Sequence, residues 1–218
     1  ADAQLKLARS LRHSGDLAAT LGDLKAAQAA YDESLGLLRG LQQQDQLDPQ
    51  THRDLVASLD RLGDAAMARD DLQTAKVAYQ KSLEIGQSLL LLDPEDGRTM
   101  HSVGVGLLKT GDVTMAEGDV KGAREAYQQS LGLFRRLQAR APQSPAARED
   151  VAYLLRRLGS AAMAAGDVQA AHDAYKESLA LARGLLAQSP GDLGATQNVT
   201  FALNFVGDAA LVAGDLNA

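Results

Sequence analysis

The chain has 218 residues, a formal net charge of -6 and a sequence pI near 5.2, with 4% aromatic residues and no cysteine. No basic block is present, which argues against a nucleic-acid phosphate ligand, and the lack of cysteine excludes disulfides and thiolate metal sites while permitting a reducing compartment. Abundant Ala and Leu with few large rings suit a thin two-layer helical array better than one deep round core.

In chain order, the apolar periodicity predicts helices near 2–20, 24–43, 50–69, 72–91, 97–117, 120–139, 145–165, 168–187 and 193–213. Each runs about 20 residues, hence roughly 30 Å. They alternate as first and second helices of a pair. Tight turns join the members of a pair, and proline-bearing connectors around Asp93-Pro94, Arg140 to Pro145 and Ser189 to Gly191 lead to the next pair. Apolar runs such as Leu89 to Leu92 are far short of a membrane span, and the first residues lack a signal-peptide pattern, so a cytoplasmic location is expected. The absence of an initial Met suggests a processed chain or a piece of a longer one.

The sequence repeats with a period of 48 residues. Gly15, Gly63, Gly111, Gly159 and Gly207 form one column, and Asp23, Asp71, Asp119, Asp167 and Asp215 another. Tyr31, Tyr79, Tyr127 and Tyr175 form a third, accompanied by Ala27, Ala75, Ala123 and Ala171, by Ser34, Ser82, Ser130 and Ser178, and by Leu35, Leu83, Leu131 and Leu179. Units fall at about 1–48, 49–96, 97–144, 145–192 and 193–218, the last incomplete, in one array over 1–218.

Each column has a physical task. Gly22, Gly118, Gly166 and Gly214 stand where a first helix stops in a left-handed conformation, with Asp70 as the exception, and the aspartate that follows caps the second helix. Leu11, Leu59, Leu107, Leu155 and Leu203 share a face with the glycine four residues on, and that glycine admits the second helix. The tyrosines read as core packing with a hydroxyl at the edge.

The unit core, L-G-D at 62 to 64, D-D-L at 70 to 72, then Ala75, Tyr79, Ser82 and Leu83, resembles the tetratricopeptide repeat, in a long variant whose 48-residue period exceeds the ordinary 34. The resemblance is to arrays of bacterial signalling and conflict proteins. It implies an all-α, right-handed superhelical solenoid of antiparallel helix pairs, four full repeats plus half of a fifth, whose first helices line a concave groove for a protein or peptide. No cofactor and no enzymatic activity are expected.

A helical wheel at 100° per residue places the face opposite the Leu column on a set of variable residues. They are Arg9, Arg12, His13 and Asp16, then Ala57, Asp60, Arg61, Asp64 and Met67, then Val105, Leu108, Lys109, Asp112 and Met115. The last two units contribute Tyr153, Arg156, Arg157, Ser160 and Met163, and Phe201, Asn204, Phe205, Asp208 and Leu211. His13-Asp16, Arg61-Asp64 and Lys109-Asp112 read as a solvated i,i+3 ladder, and Met67, Met115 and Met163 as packing or as an adaptable apolar floor. Ser160 stands where earlier units have aspartate, beside Arg156 and Arg157, and Tyr153, Phe201 and Phe205 are the aromatics of this face, Phe201 and Phe205 reading either as ligand contacts or as a cover over the missing half-unit. Arginine and aromatic rings are what interface hot spots favour, so the expected ligand carries an acidic side chain or carboxylate. Lys and Asn of carboxylate-clamp tetratricopeptide proteins are replaced by Arg156, Ser160 and Phe205, which argues against a chaperone-tail ligand.

Catalytic signatures are missing. Gly104-Val-Gly106 with Lys109-Thr110 lacks the order of a phosphate loop and lies within a helix, the four histidines form no ligand pair, and no G-x-S-x-G occurs. The sequon Asn198-Val-Thr200 also falls within a predicted helix. Alternatives to the binding scaffold are a structural or oligomerisation array and a regulatory piece of a larger effector. Because the sequence stops just after Asp215, Leu203, Gly207 and Ala210 are expected to lack their usual partner helix, and self-association through this end is expected.

Overall fold

In a computed structural model of the chain, residues 2–44 and 48–214 are described, and the helices expected from the periodicity are all found among them. They are α1 (Asp2–Thr20), α2 (Leu24–Gln44), α3 (Pro49–Met67), α4 (Leu72–Leu92), α5 (Gly97–Ala116), α6 (Val120–Arg140), α7 (Pro145–Ala164), α8 (Val168–Gln188) and α9 (Leu193–Ala213). Differences from the expected bounds are one or two residues and have local causes. Asp48 caps α3 by accepting from the N–H groups of Gln50 and Thr51, so the helix starts at Pro49. At the other end the Asp71 N–H bonds back to Ala66 O at 2.9 Å, which turns 68–70 out of the helix.

The turns are built as the columns require. Gly22, Gly118, Gly166 and Gly214 have φ of 81°, 86°, 76° and 73°, and among the described residues Asp70 is the non-glycine residue with positive φ, at 60°. The carboxylates of Asp23, Asp71, Asp119 and Asp167 accept from the N–H three residues on, at 3.0, 3.0, 2.9 and 3.2 Å. The fifth capping residue, Asp215, lies outside the described residues.

The chain divides into two compact units, Ala1–Glu117 and Gly118–Ala218. In the first, α1 packs on α2 and α3 on α4 as antiparallel pairs, with α2 against α3 and α4 against α5. One apolar cluster draws Ala8, Tyr31, Leu35, Leu38, Leu55, Leu59 and Leu62 from α1, α2 and α3, with Ala78 from α4. In the second, α7 pairs with α8, α6 packs on α7, and α9 packs on α8.

Within each pair the glycine column seats the tyrosine ring. A Cβ built on Gly15 would lie 2.5 Å from Tyr31 Cε1, and one on Gly63 or Gly159 would meet the ring of Tyr79 or Tyr175 just as tightly. All these rings are buried, and their hydroxyls reach the rim: Tyr31 donates to Asp16 at 3.0 Å, Tyr79 donates to Asp64 at 2.9 Å, and Tyr175 lies 3.2 Å from Ser160 Oγ. The serine column has a role the sequence did not disclose. Ser34 and Ser178 donate to the carbonyls of Ala8 and Ala152 on the partner helix, each at 2.8 Å, so a small polar group is satisfied inside the pair.

The final helix departs in part from expectation. Leu203 is 44% exposed and a Cβ on Gly207 would meet nothing, whereas Ala210, expected to be uncovered as well, is buried at 5%. α9 docks on α8 along a face of alanines that includes Ala202 and Ala209, and Ala210 adjoins it.

Asp70→Gly removes the Cβ strain of a left-handed residue and should raise unfolding stability by up to about 1 kcal/mol in a denaturant titration. A loss would show that the aspartate side chain contributes more than its backbone costs. Gly63→Ala should go the other way, losing about 1–3 kcal/mol, because the methyl meets the rigid Tyr79 ring rather than a flexible chain end.

Candidate functional site

In the first unit the face predicted for ligand binding is largely knit together by its own charges. Arg9 Nε and Nη2 donate to Asp54 Oδ2 at 2.9 and 2.7 Å, and Arg12 Nη1 donates to Asp54 Oδ1 at 3.1 Å. Arg12 is thereby committed to α3. Burial works to raise the Asp54 carboxyl, but hydrogen bonds from Arg9, Gln50 and Arg12 outweigh it and hold the group below its ordinary value. Asp60 is not on the open face either. It accepts from Ser82 on α4 at 2.6 Å, and burial raises its carboxyl.

The ladder differs from the i,i+3 expectation. His13 and Asp16 pair loosely at 3.8 Å, but Arg61 Nε approaches Asp16 at 3.1 Å more closely than Arg61 Nη1 approaches Asp64, at 3.6 Å. Lys109 Nζ donates to both oxygens of Asp64, at 2.7 and 2.8 Å. The basic residue of one repeat therefore reaches back to the aspartate of the previous repeat. The reason is geometric: the column of tyrosine hydroxyls already draws Asp16 and Asp64 toward the second helices, where the next first helix lies within reach. Beside this ladder is a cleft of about 410 Å³ lined by Asp16, Tyr31, Arg61 and Asp64, among others. The Tyr31 hydroxyl, desolvated and hydrogen-bonded to Asp16, is pushed up to about 12 and stays a neutral donor. Met67 packs against Ala66, Ala75, Tyr79 and Val113, and Met115 is half-buried.

In the second unit, three expected residues come together. The guanidinium carbons of Arg156 and Arg157 lie 5.3 and 5.2 Å from the centroid of the Tyr153 ring, which is 37% exposed. Both contacts are within cation–π range. Burial presses the Arg156 guanidinium below its ordinary pKa, with the like charge of Arg157 adding to it, although it remains a cation. Tyr153 and Arg156 line a cavity of about 280 Å³ together with Glu149, Asp150 and Asn198. Those three polar residues were not among the expected site residues, because they precede the stretch of each first helix from which the wheel face was read.

The other expected residues have separate surroundings. Ser160 meets the Tyr175 hydroxyl, and Met163 packs against Ala162, Ala171 and Tyr175. Phe205 stacks on Tyr175, with centroids 5.0 Å apart and planes at 18°, so it covers the core ring. Phe201 is 55% exposed, and Asn204 is exposed beside it on α9. Among the described residues no helix is long and apolar enough to cross a membrane, and no cluster of His, Asp and Glu that could hold a metal ion occurs.

No protein-family model matches the sequence, and no curated protein matches it. Solved structures do. BtubC (BKLC) from P. vanneervenii aligns with a TM-score of 0.74 at 19% identity, over 97% of this chain and 75% of that one. The putative kinesin light chain TPR-like repeats of Podosopora anserina give a TM-score of 0.65 at 20% identity, over 98% and 92%. The apo form of RapI gives 0.66 at 12% identity, over 96% and 72%. Likeness at these identities speaks for the fold.

The Asp54 cluster sets a pH dependence. A carboxyl whose folded pKa is depressed contributes stability that is present above its unfolded pKa and is lost as pH falls through the folded value. Asp54→Asn should therefore lower the melting temperature at neutral pH, and the gap from the wild type should close below about pH 4. A gap that stays constant through acid titration would place the loss in packing rather than in charge.

Proposed function

Because the chain has a tetratricopeptide-type repeat fold, a helical repeat scaffold, we propose that it is a non-catalytic module that binds a protein or peptide, and that its ligand surface is centred on Tyr153, Arg156 and Arg157. The observation that carries this reading is the pair of guanidiniums held against one partly exposed tyrosine ring. A cation pre-positioned on an aromatic face loses little freedom on binding, and such pairs are favoured at the centres of interfaces. The segment bound carries an acidic side chain or a carboxylate, which the guanidiniums pair, and an apolar flank for Tyr153 and the exposed Phe201. Ser160, Met163, Asn204 and Phe205 border this surface as its frame. The first unit offers a weaker second surface at Arg61, Asp64, Met67, Lys109, Asp112 and Met115, weaker because its charges are spent on one another. Variable side chains over a constant core are how a scaffold acquires a partner without changing its fold.

A second reading, self-association, is favoured by the exposure of Phe201, Leu203 and Leu211 on α9. One set of measurements separates the two. Short acidic peptides and their amidated counterparts are titrated by fluorescence anisotropy, with sedimentation in parallel. Tyr153→Ala and Arg157→Glu should each weaken capture of the acidic peptide by more than ~1 kcal/mol while the circular dichroism stays unchanged. Intact affinity in both variants, with Arg61→Glu abolishing capture, would move the surface to the first unit. A concentration-dependent oligomer with no peptide binding would support the second reading.

A further inference from the structure

The repeat contains one column that alternates between large and small. Residues 38, 86, 134 and 182 are Leu, Gly, Phe and Ala. Leu38 and Phe134 are fully buried fillers. Where the residue is small a cavity opens, about 150 Å³ beside Gly86 in the first unit and about 280 Å³ beside Ala182 in the second. The space beside Gly86 is not the room its own side chain would take, since a Cβ there would come within 3.1 Å of Val103 Cγ2 on α5.

The two cavities occupy equivalent positions of the repeat, yet their charge is opposite. The second is lined by Glu149 and Asp150, with Arg156 as its cation. In the first, position 53 is Arg where 149 is Glu, Ser102 stands where the second has Asn198, and Arg98 adds a second cation. No carboxylate is among its described lining residues, and the remaining walls come from Val56, Gly86, Leu89 and Thr99. At the matching place between α1 and α3, Asp54 takes two arginines. Here Ser102 offers only a hydroxyl, and Arg53 Nε is enclosed with no hydrogen-bond acceptor among the described residues. Asp96 lies near enough for its charge and that of Arg53 to interact. It is already committed as the cap of α5, accepting from the Arg98 N–H and the Thr99 hydroxyl.

We infer that the cavity between α3, α4 and α5 binds a small carboxylate on a short aliphatic body, with Arg53 and Arg98 taking the carboxylate and Val56 and Leu89 flanking the tail. A volume of about 150 Å³ holds roughly five water-sized groups, which suits a branched tail of about four carbons and excludes a nucleotide. A guanidinium fork matches a planar carboxylate, and the apolar walls select against a bare inorganic anion. This chemistry occurs in a free branched-chain acid and at the C-terminal residue of a polypeptide.

The probe is 3-methylbutanoate, titrated calorimetrically into the full chain, with 3-methylbutanamide as its neutral isostere and N-acetylvaline as the mimic of a chain terminus. The carboxylate should bind at least about tenfold more tightly than the amide. Arg53→Gln combined with Arg98→Gln should lose about tenfold or more in affinity. Ser102→Asp, which restores the residue found at 54 and 150, should stay folded, satisfy the arginines internally and abolish binding. Binding of N-acetylvaline as tight as that of the free acid supports a polypeptide terminus as the source, and selective binding of 3-methylbutanoate supports the free acid. The inference is overturned if neither carboxylate binds, if the amide binds equally, or if a folded Arg53→Gln, Arg98→Gln or Ser102→Asp protein keeps the wild-type affinity.

Discussion

The contact between a glycine of one helix and a tyrosine ring of the next governs the helix pair. Gly15 with Tyr31, Gly63 with Tyr79 and Gly159 with Tyr175 leave no room for even a methyl group. Because the ring needs the space that a Cβ would occupy, the axial position of the second helix is set against the first to within a fraction of a turn. The same ring then carries its hydroxyl to the edge of the pair. A leucine at the tyrosine position could fill comparable volume, but it would leave the aspartates at 16 and 64 without the donor that orients them.

Magnitudes separate what holds the pairs together from what orders them. Full burial of a large side chain contributes about 1.5–3 kcal/mol, whereas a partly exposed ion pair contributes about 0–1 kcal/mol. The ladder of Arg61 on Asp16 and Lys109 on Asp64 is therefore a minor contributor to stability. Its effect is to prefer one registration of successive repeats in the first unit, since each cation is matched to a carboxylate of the preceding repeat. Asp54 is different because it is buried with two arginines on it, so removing one partner would leave an enclosed charge.

A constant seat leaves the surroundings of the repeat free to vary. Exchanging Leu38 or Phe134 for Gly86 or Ala182 leaves the glycine–tyrosine seat untouched, because the exchanged column lies on another part of the second helix. Space lies beside Gly86 and Ala182, and the side chains around it differ in charge. Arg53 in one cavity and Glu149 in the other are such a difference. The Tyr153 patch follows the same rule on the outer surface, where Arg156 and Arg157 add charge to a face whose buried partners, Leu154 and Leu155, are ordinary core residues.

Helix order, the turns and the tyrosine core were all legible in the sequence because their causes are local. An aspartate caps the helix that begins at the next residue, a left-handed glycine ends the helix just before it, and Ala75, Tyr79 and Leu83 share a stripe at four-residue spacing. The direction of long polar side chains was not legible. A helical wheel sees only one helix, so it assigned Arg12 and Asp60 to an open face and could not show that Lys109 meets a carboxylate of α3. Packing instead offered Arg12 the Asp54 carboxylate of α3, turned Asp60 to Ser82, and gave Lys109 both oxygens of Asp64. Phe205 was likewise drawn onto Tyr175 by an apolar contact with a residue 30 positions away. Sequence alone determined which residues recur and hence the helices and their caps, while tertiary structure decided which carboxylate each cation meets and where space remains between helices, because those depend on distances between helices that no single helix encodes.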